Sequence, residues 1–184
     1  MANPTEEHTK PRGILVLEEF PIPLSPYQFV KFLIPPEKYP YYLPAQWLRS
    51  DTTYVETGLL YATCKYSDNR QIGLYCFPEA LGLPSRLEDV KSAIETIGFV
   101  VIVDIESILG INREIVEKYS AIRWAKPYKL PIIISVIHAN RIDKSVEKLS
   151  RLIDYSSDMP IIWCDGDIDL DFVQRTMDVI YSDI

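Results

Sequence analysis

Phe99-Val100-Val101-Ile102-Val103-Asp104 is an unbroken run of aromatic and β-branched side chains closed by a carboxylate. A strand with no alternation of apolar and polar residues is buried on both faces, which points to a parallel sheet with helices above and below it. A run of the same kind follows at 132–137, and shorter ones stand at 14–17, 54–57, 59–65, 72–77 and 161–164. Ser67-Asp68-Asn69 is a tight polar turn between two of them, so that pair is expected to be antiparallel.

Between these runs lie stretches with helical spacing. Ser85 and Glu88 form a capping box ahead of Val90, Ala93, Ile94 and Ile97, with Gly98 placed for a left-handed stop. Asn112 can cap one helix carrying Ile115, Val116, Tyr119 and Ile122 and ending before Pro127. Val146, Leu149, Leu152 and Ile153 make a third stripe, and Phe172, Val173, Met177 and Ile180 a fourth. Strand and helix alternating in this way predict a three-layer α/β fold. Its sheet is six-stranded and mostly parallel, with one antiparallel edge strand and about five helices. Ligands in such folds bind outside the carboxyl ends of the strands.

The chain has 184 residues, enough for one full core. Residues 1–12 are polar, contain Pro4 and Pro11, and read as a disordered leader; residues 13–184 read as a single domain. With 26 acidic and 19 basic residues the net charge is −7 and no basic cluster stands out, so nucleic acid is not an expected partner. The first residues lack the features of a secretory signal, which predicts a cytoplasmic location. The longest apolar runs are about seven residues, far short of the roughly 20 that span a bilayer, so no membrane insertion is expected. Cys64, Cys76 and Cys164 stand far apart without metal-ligand spacing and read as buried reduced thiols.

The order of elements and several short segments resemble the Ras-like small GTPases, particularly the bacterial cell-polarity (MglA-like) branch and its Arf-like relatives, over residues 13–184. Ile97 to Asp104 is similar to the family's fourth strand with its terminal aspartate. His138-Ala139-Asn140-Arg141-Ile142-Asp143 is similar to the guanine-specifying Asn-Lys-x-Asp motif, with Arg141 in place of lysine. The resemblance implies a P-loop-NTPase-type fold and, for any residual guanine-nucleotide site, Asn140 and Asp143, with Asp143 pairing with the base. Read without the resemblance, Asp143 is a candidate cap for a helix starting near Lys144.

Other family segments are altered. Asp51 to Gly58 resembles the switch I region, which would put Thr52 or Thr53 at the magnesium-contacting position. Leu74-Tyr75-Cys76-Phe77-Pro78-Glu79-Ala80 resembles a Phe-Gly-Thr-Pro-Gly-Gln segment, with Glu79 replacing glycine and Ala80 the water-positioning glutamine. Trp163-Cys164-Asp165 matches a base-contacting loop only in its location.

A phosphate-binding loop needs glycines that turn successive N–H groups inward, a lysine, and a Ser or Thr for magnesium. After the first strand the chain reads Glu18-Glu19-Phe20-Pro21-Ile22-Pro23-Leu24-Ser25-Pro26, with no glycine or lysine at those positions. Pro21, Pro23 and Pro26 remove three donors, and Glu18 and Glu19 are expected to set like charge against a polyphosphate. Seven of the 14 prolines lie between Pro21 and Pro44, interleaved with Phe20, Tyr27, Tyr39, Tyr41, Tyr42, Leu43 and Trp47. These aromatics either fill the vacated cleft or form an interaction surface on a stiff backbone.

Two further chemistries fail on spacing or company. Counted from Asp165, the acidic run 165–171 has Leu170 and Thr176 where an EF-hand needs glycine and glutamate, so Asp167 or Asp169 is expected to cap the last helix. Cys164 and His138 could be neighbours, yet no orienting group or oxyanion site accompanies them. The expected function is therefore a non-catalytic, regulatory Ras-like domain without metal or cofactor that binds a protein, with a Roadblock-type regulator as the partner class the resemblance implies. The alternative is a weak guanine-nucleotide binder or slow GTPase using GTP and magnesium.

Overall fold

A computed structural model describes residues 12–19, 28–29, 60–67, 70–76 and 94–183. The strands are β1 (Arg12–Glu18), β2 (Leu60–Ser67), β3 (Arg70–Cys76), β4 (Glu95–Asp104), β5 (Ile132–Ile137) and β6 (Ile161–Trp163). They lie in the order β2-β3-β1-β4-β5-β6. From β3 to β6 every neighbouring pair is parallel, and β2 joins β3 antiparallel at one edge. The helices are α1 (Ile105–Ile108), α2 (Arg113–Tyr119), α3 (Ala121–Ala125), α4 (Val146–Leu152) and α5 (Leu170–Asp183). Short 3-10 turns stand at Lys126–Tyr128 and Ala139–Ile142.

The period of two along each strand sorts the core into two layers. Leu15 and Leu17 of β1, Phe99, Val101 and Val103 of β4, and Ile132, Ile134 and Val136 of β5 face one way, against Ile105, Val116, Ile122 and Leu149 of the helices between β4 and β6. Ile14 and Val16, Val100 and Ile102, and Ile133 and Ile137 face the other way, against Phe29 and against Phe172, Val173, Met177 and Ile180 of α5. The absence of polar side chains from 99–103 of β4 and from all but one position of β5 thus follows from helices on both faces. Ser135 is the exception in β5; it is fully buried and lies 3.3 Å from Thr176 of α5, whose hydroxyl also donates to the Phe172 carbonyl at 3.0 Å.

Several expectations are corrected. Gly98 is not a helix stop, because β4 begins at Glu95. Glu95 and Thr96 pair with Arg12 and Gly13, and an irregularity in the ladder then sets Gly98 opposite Ile14. Sheet pairing overrides the helical spacing of Ile94 and Ile97. Gly98 instead admits the Pro131 carbonyl, which accepts from the Phe99 N–H at 2.9 Å and would lie 3.3 Å from a Cβ on Gly98. The capping box at Ser85 and Glu88 lies outside the described residues, as do the expected strand at 54–57, the switch I segment, Phe77 to Ala80, and residues 1–11 of the expected leader.

The single helix expected after Asn112 is two. Asn112 caps α2 through the Glu114 N–H at 2.9 Å. The chain then turns extended at Ser120, which caps α3. Val116 and Ile122 are buried, whereas Ile115 and Tyr119 are exposed because the break rotates the stripe off the core. In α4 likewise Leu149 is buried and Val146 exposed. The cap of α4 is Ser145, which accepts from the Lys148 N–H at 3.2 Å, and not Asp143. The last helix is as expected: its stripe is buried and Asp169 caps it through the Phe172 N–H at 2.8 Å. Among the described residues no helix is long and apolar enough to cross a membrane.

Gly13 is required for a different reason. A Cβ there would run into the ring of buried Tyr75, at 2.7 Å from Cδ2, and would stand 3.0 Å from the Gly73 carbonyl. Gly13→Ala is expected to lower stability in urea denaturation by about 1–3 kcal/mol, the usual cost of overpacking. An unchanged midpoint would show that the Tyr75 ring turns aside freely.

Candidate functional site

The chain leaves β1 toward β3 and then crosses back over β1 to β4, so the strand order reverses beside β1. In open α/β sheets the binding crevice lies at such a point, outside the carboxyl ends. The residues there are Glu18 at the end of β1 and Glu19 after it, Asp104 at the end of β4, the turn 138–143 after β5, and residues 164–167 after β6.

Asp104 is fixed first. Its backbone is extended, and its carboxylate caps α1 by accepting from the Glu106 N–H at 3.0 Å and from the Ser107 hydroxyl at 2.5 Å. Because Asp104 pairs in register with Ile137 of the neighbouring strand, the next residue, His138, falls beside it. The ring Nδ1 of His138 lies 2.8 Å from Asp104 Oδ1, and Nε2 lies 3.2 Å from Asp167 Oδ1. His138 has a left-handed backbone, φ 53°. Its N–H donates to the Gly166 carbonyl at 3.2 Å, while the Ala139 N–H donates to that of Cys164 at 2.8 Å.

The charges follow from this packing. Burial alone would raise the Asp104 pKa, but the hydrogen bonds from Ser107 and His138 and the imidazolium charge hold it below the usual carboxylate range. Burial works against a charged His138. The hydrogen bond and charge of Asp104, with the charges of Glu106 and Asp167, outweigh it and raise the His138 pKa above its ordinary value.

Asn140 and Asp143 share the turn after β5, and both are exposed. The Asp143 N–H donates to the Asn140 carbonyl at 3.4 Å, and the Asp143 carboxylate pairs with Lys148 Nζ at 2.6 Å. Arg141 grips Glu106 with Nη2 at 2.6 Å and Nε at 2.8 Å. Cys164 is a buried free thiol that donates to the Asp167 carbonyl at 3.3 Å, and both His138 nitrogens face carboxylates, so the two residues form no nucleophile pair. Among the described residues no group of three His, Cys, Asp or Glu side chains is arranged to hold a metal ion. Phe20, Tyr27, Tyr39, Tyr41, Tyr42, Leu43 and Trp47, and the prolines among them, lie outside the described residues.

The expectation that Glu18 and Glu19 together confront a polyphosphate is corrected for Glu19. Its N–H extends the ladder to the Ile102 carbonyl at 2.9 Å, and its side chain is fully buried under the junction of α2 and α3. There it accepts from the Ser120 hydroxyl at 2.6 Å and from the Ile122 N–H at 2.9 Å. The free donors at the start of α3 draw the carboxylate inward. Desolvation, opposed in part by those two bonds and reinforced by the charge of Asp154, pushes its pKa up to about 7. Glu19 also lines a cleft of about 90 Å³ with Arg113, Glu117, Arg123, Asp154 and Tyr155 at its sides.

Sequence reasoning missed both the Asp104–His138 contact and the Glu19–Ser120 contact. The first carried a signal, since a carboxylate ending one strand and a histidine following the next are neighbours once the two strands are in register. The second joins residues 101 apart, and neither has a local pattern that announces the other. No protein-family model matches the chain, and the search of curated proteins finds no match.

Proposed function

We propose that the chain is a non-catalytic Ras-like domain of the cytoplasm that acts through protein contacts, as a regulatory or scaffold module. The observation that carries this reading is the exit of β1. A phosphate loop would have to begin there, yet Glu19 turns inward and is bonded to Ser120 and Ile122, and no glycine or lysine follows at the positions the loop needs. The hairpin edge strand, the reversal of strand order beside β1, and the aspartate closing β4 also fit the resemblance. A fold kept without its phosphate chemistry serves binding. The proposed contact face comprises Phe20, Tyr27, Tyr39, Tyr41, Tyr42 and Trp47, and a Roadblock-type regulator is the partner to test first.

A second reading, weak guanine-nucleotide binding with magnesium, draws on Asn140 and Asp143 sharing one exposed turn at the carboxyl end of β5. Against it, the Asp143 carboxylate is already engaged by Lys148. Isothermal titration with GTP and GDP in the presence of magnesium decides between them. No binding heat is expected; saturable micromolar binding, lost in Asp143→Ala, would overturn the first reading in favour of the second.

A further inference from the structure

A neutral imidazole carries one ring N–H, and a carboxylate oxygen can only accept. His138 nevertheless presents Nδ1 to Asp104 at 2.8 Å and Nε2 to Asp167 at 3.2 Å. The Nδ1 contact is a hydrogen bond and the Nε2 contact an ion-pair approach, and the two are favourable together only when the ring is an imidazolium. In the neutral ring one nitrogen lone pair would face a carboxylate oxygen. The two partners are held very differently. Asp104 is largely buried and fixed by Ser107 and the Glu106 N–H, whereas the Asp167 side chain is 92% exposed.

We propose that the Asp104–His138–Asp167 bridge is a proton-operated latch across the carboxyl ends of β4, β5 and β6, closed when both His138 nitrogens carry hydrogen and open, with Asp167 released, when only Nδ1 does. Loss of the Nε2 proton leaves Nδ1–H on Asp104, since that partner cannot move, and turns the Nε2 lone pair toward Asp167. The Asp167 carboxylate, already largely in solvent, then moves off the ring and Nε2 becomes an acceptor. The other charges nearby are already paired: Glu106 of α1 with Arg141 at 2.6 Å, and Asp165 of the same loop with Lys144 at 2.8 Å. The backbone bonds from His138 to Gly166 and from Ala139 to Cys164 keep the loop itself in place, so the motion is confined to its tip. The sign follows from the raised His138 pKa. The latch is closed well below the folded His138 pKa, which lies above the ordinary histidine value of about 6.5, and opens as pH rises through it. This holds whether or not the domain binds a nucleotide.

The test is a pH titration of the full chain by NMR, reading the histidine ring nitrogens and the backbone amides of Gly166 and Asp167. His138→Asn assigns the signals, since the chain has 2 histidines. The His138 midpoint is expected above 6.5, with the two loop amides following the same midpoint. Asp167→Asn should lower that midpoint by about 0.2–0.4, the size of an exposed ion pair, and uncouple the loop amides. Asp104→Asn, which can still cap α1, should lower it by about 1 or more. A midpoint at or below 6.5, a midpoint unmoved by Asp167→Asn, or amides that do not titrate with the ring would each overturn the latch.

Discussion

Replacing Phe172 with alanine should lower the unfolding free energy by about 3–5 kcal/mol, the range for truncating a buried phenylalanine. Phe172 is fully buried at the start of α5 and meets the Phe29 ring edge-on, with centroids 6.4 Å apart. It also closes the layer over Ile14, Val16, Val100, Ile102 and Ile133, a face that α5 covers from the β6 side. Truncation therefore removes transfer energy, leaves a cavity that flanking strands cannot fill, and deletes an edge-to-face contact of about 0.5–1.5 kcal/mol. For a domain whose total stability is typically 5–15 kcal/mol, that is a large share. Thermal unfolding should shift down by roughly 10 °C. Leu170, two residues earlier and half exposed, is the control, and its alanine variant should change stability by less than about 0.5 kcal/mol. Equal losses at the two positions would mean that α5 does not seal this face.

The parts of this fold that were legible in the sequence are those set by periodicity. The strand at Ile132–Ile137 has the expected bounds, and the stripe of Phe172, Val173, Met177 and Ile180 is the buried face of α5. What was not legible depended on contacts distant in sequence. Ile94 and Ile97 have helical spacing with their neighbours, but the chain from Glu95 lies beside Arg12 and Gly13, and the ladder decides. Ile115 and Tyr119 fall on the α2 stripe, yet the helix ends at Ser120, whose extended backbone caps α3 and whose hydroxyl donates to Glu19, 101 residues earlier. At the carboxyl ends, the residue types drew attention to the loops that hold Asp104 and His138 without showing the pairings within them. Asp104 and His138 were each noticed for a separate reason, and their contact follows only from the strand register.

Glu19 does not set charge at the mouth of the crevice, since its carboxylate points away into the α2–α3 junction. The residue instead ties the end of β1 to the break between two helices on the far side of β4. Anything that alters its charge therefore acts on three elements at once, and the effect is readable as stability.

The expected result is a pH dependence opposite in sign to that of an ordinary carboxylate. Folding raises the Glu19 pKa from 4.5 to about 7, so between those values the folded chain holds a proton that the unfolded chain has released. Stability from this group is fully present below 4.5, falls as pH rises toward 7, and levels off above it. The difference between the two plateaus is on the order of 3 kcal/mol. Glu19→Gln mimics the protonated acid, because its amide can accept from the Ile122 N–H and donate to Ser120 without ever ionising. Urea denaturation of both proteins at pH 5 and pH 8 isolates Glu19 from Asp104 and His138, which are common to the pair. The two should be nearly equal at pH 5, with the glutamine variant more stable by about 1–3 kcal/mol at pH 8. The same difference at both pH values would mean that Glu19 is ionised throughout and that burial does not control it. Glu19→Ala should be weaker than the glutamine variant at either pH, by about 1–3 kcal/mol, because it leaves the Ile122 N–H and the Ser120 hydroxyl buried without their acceptor.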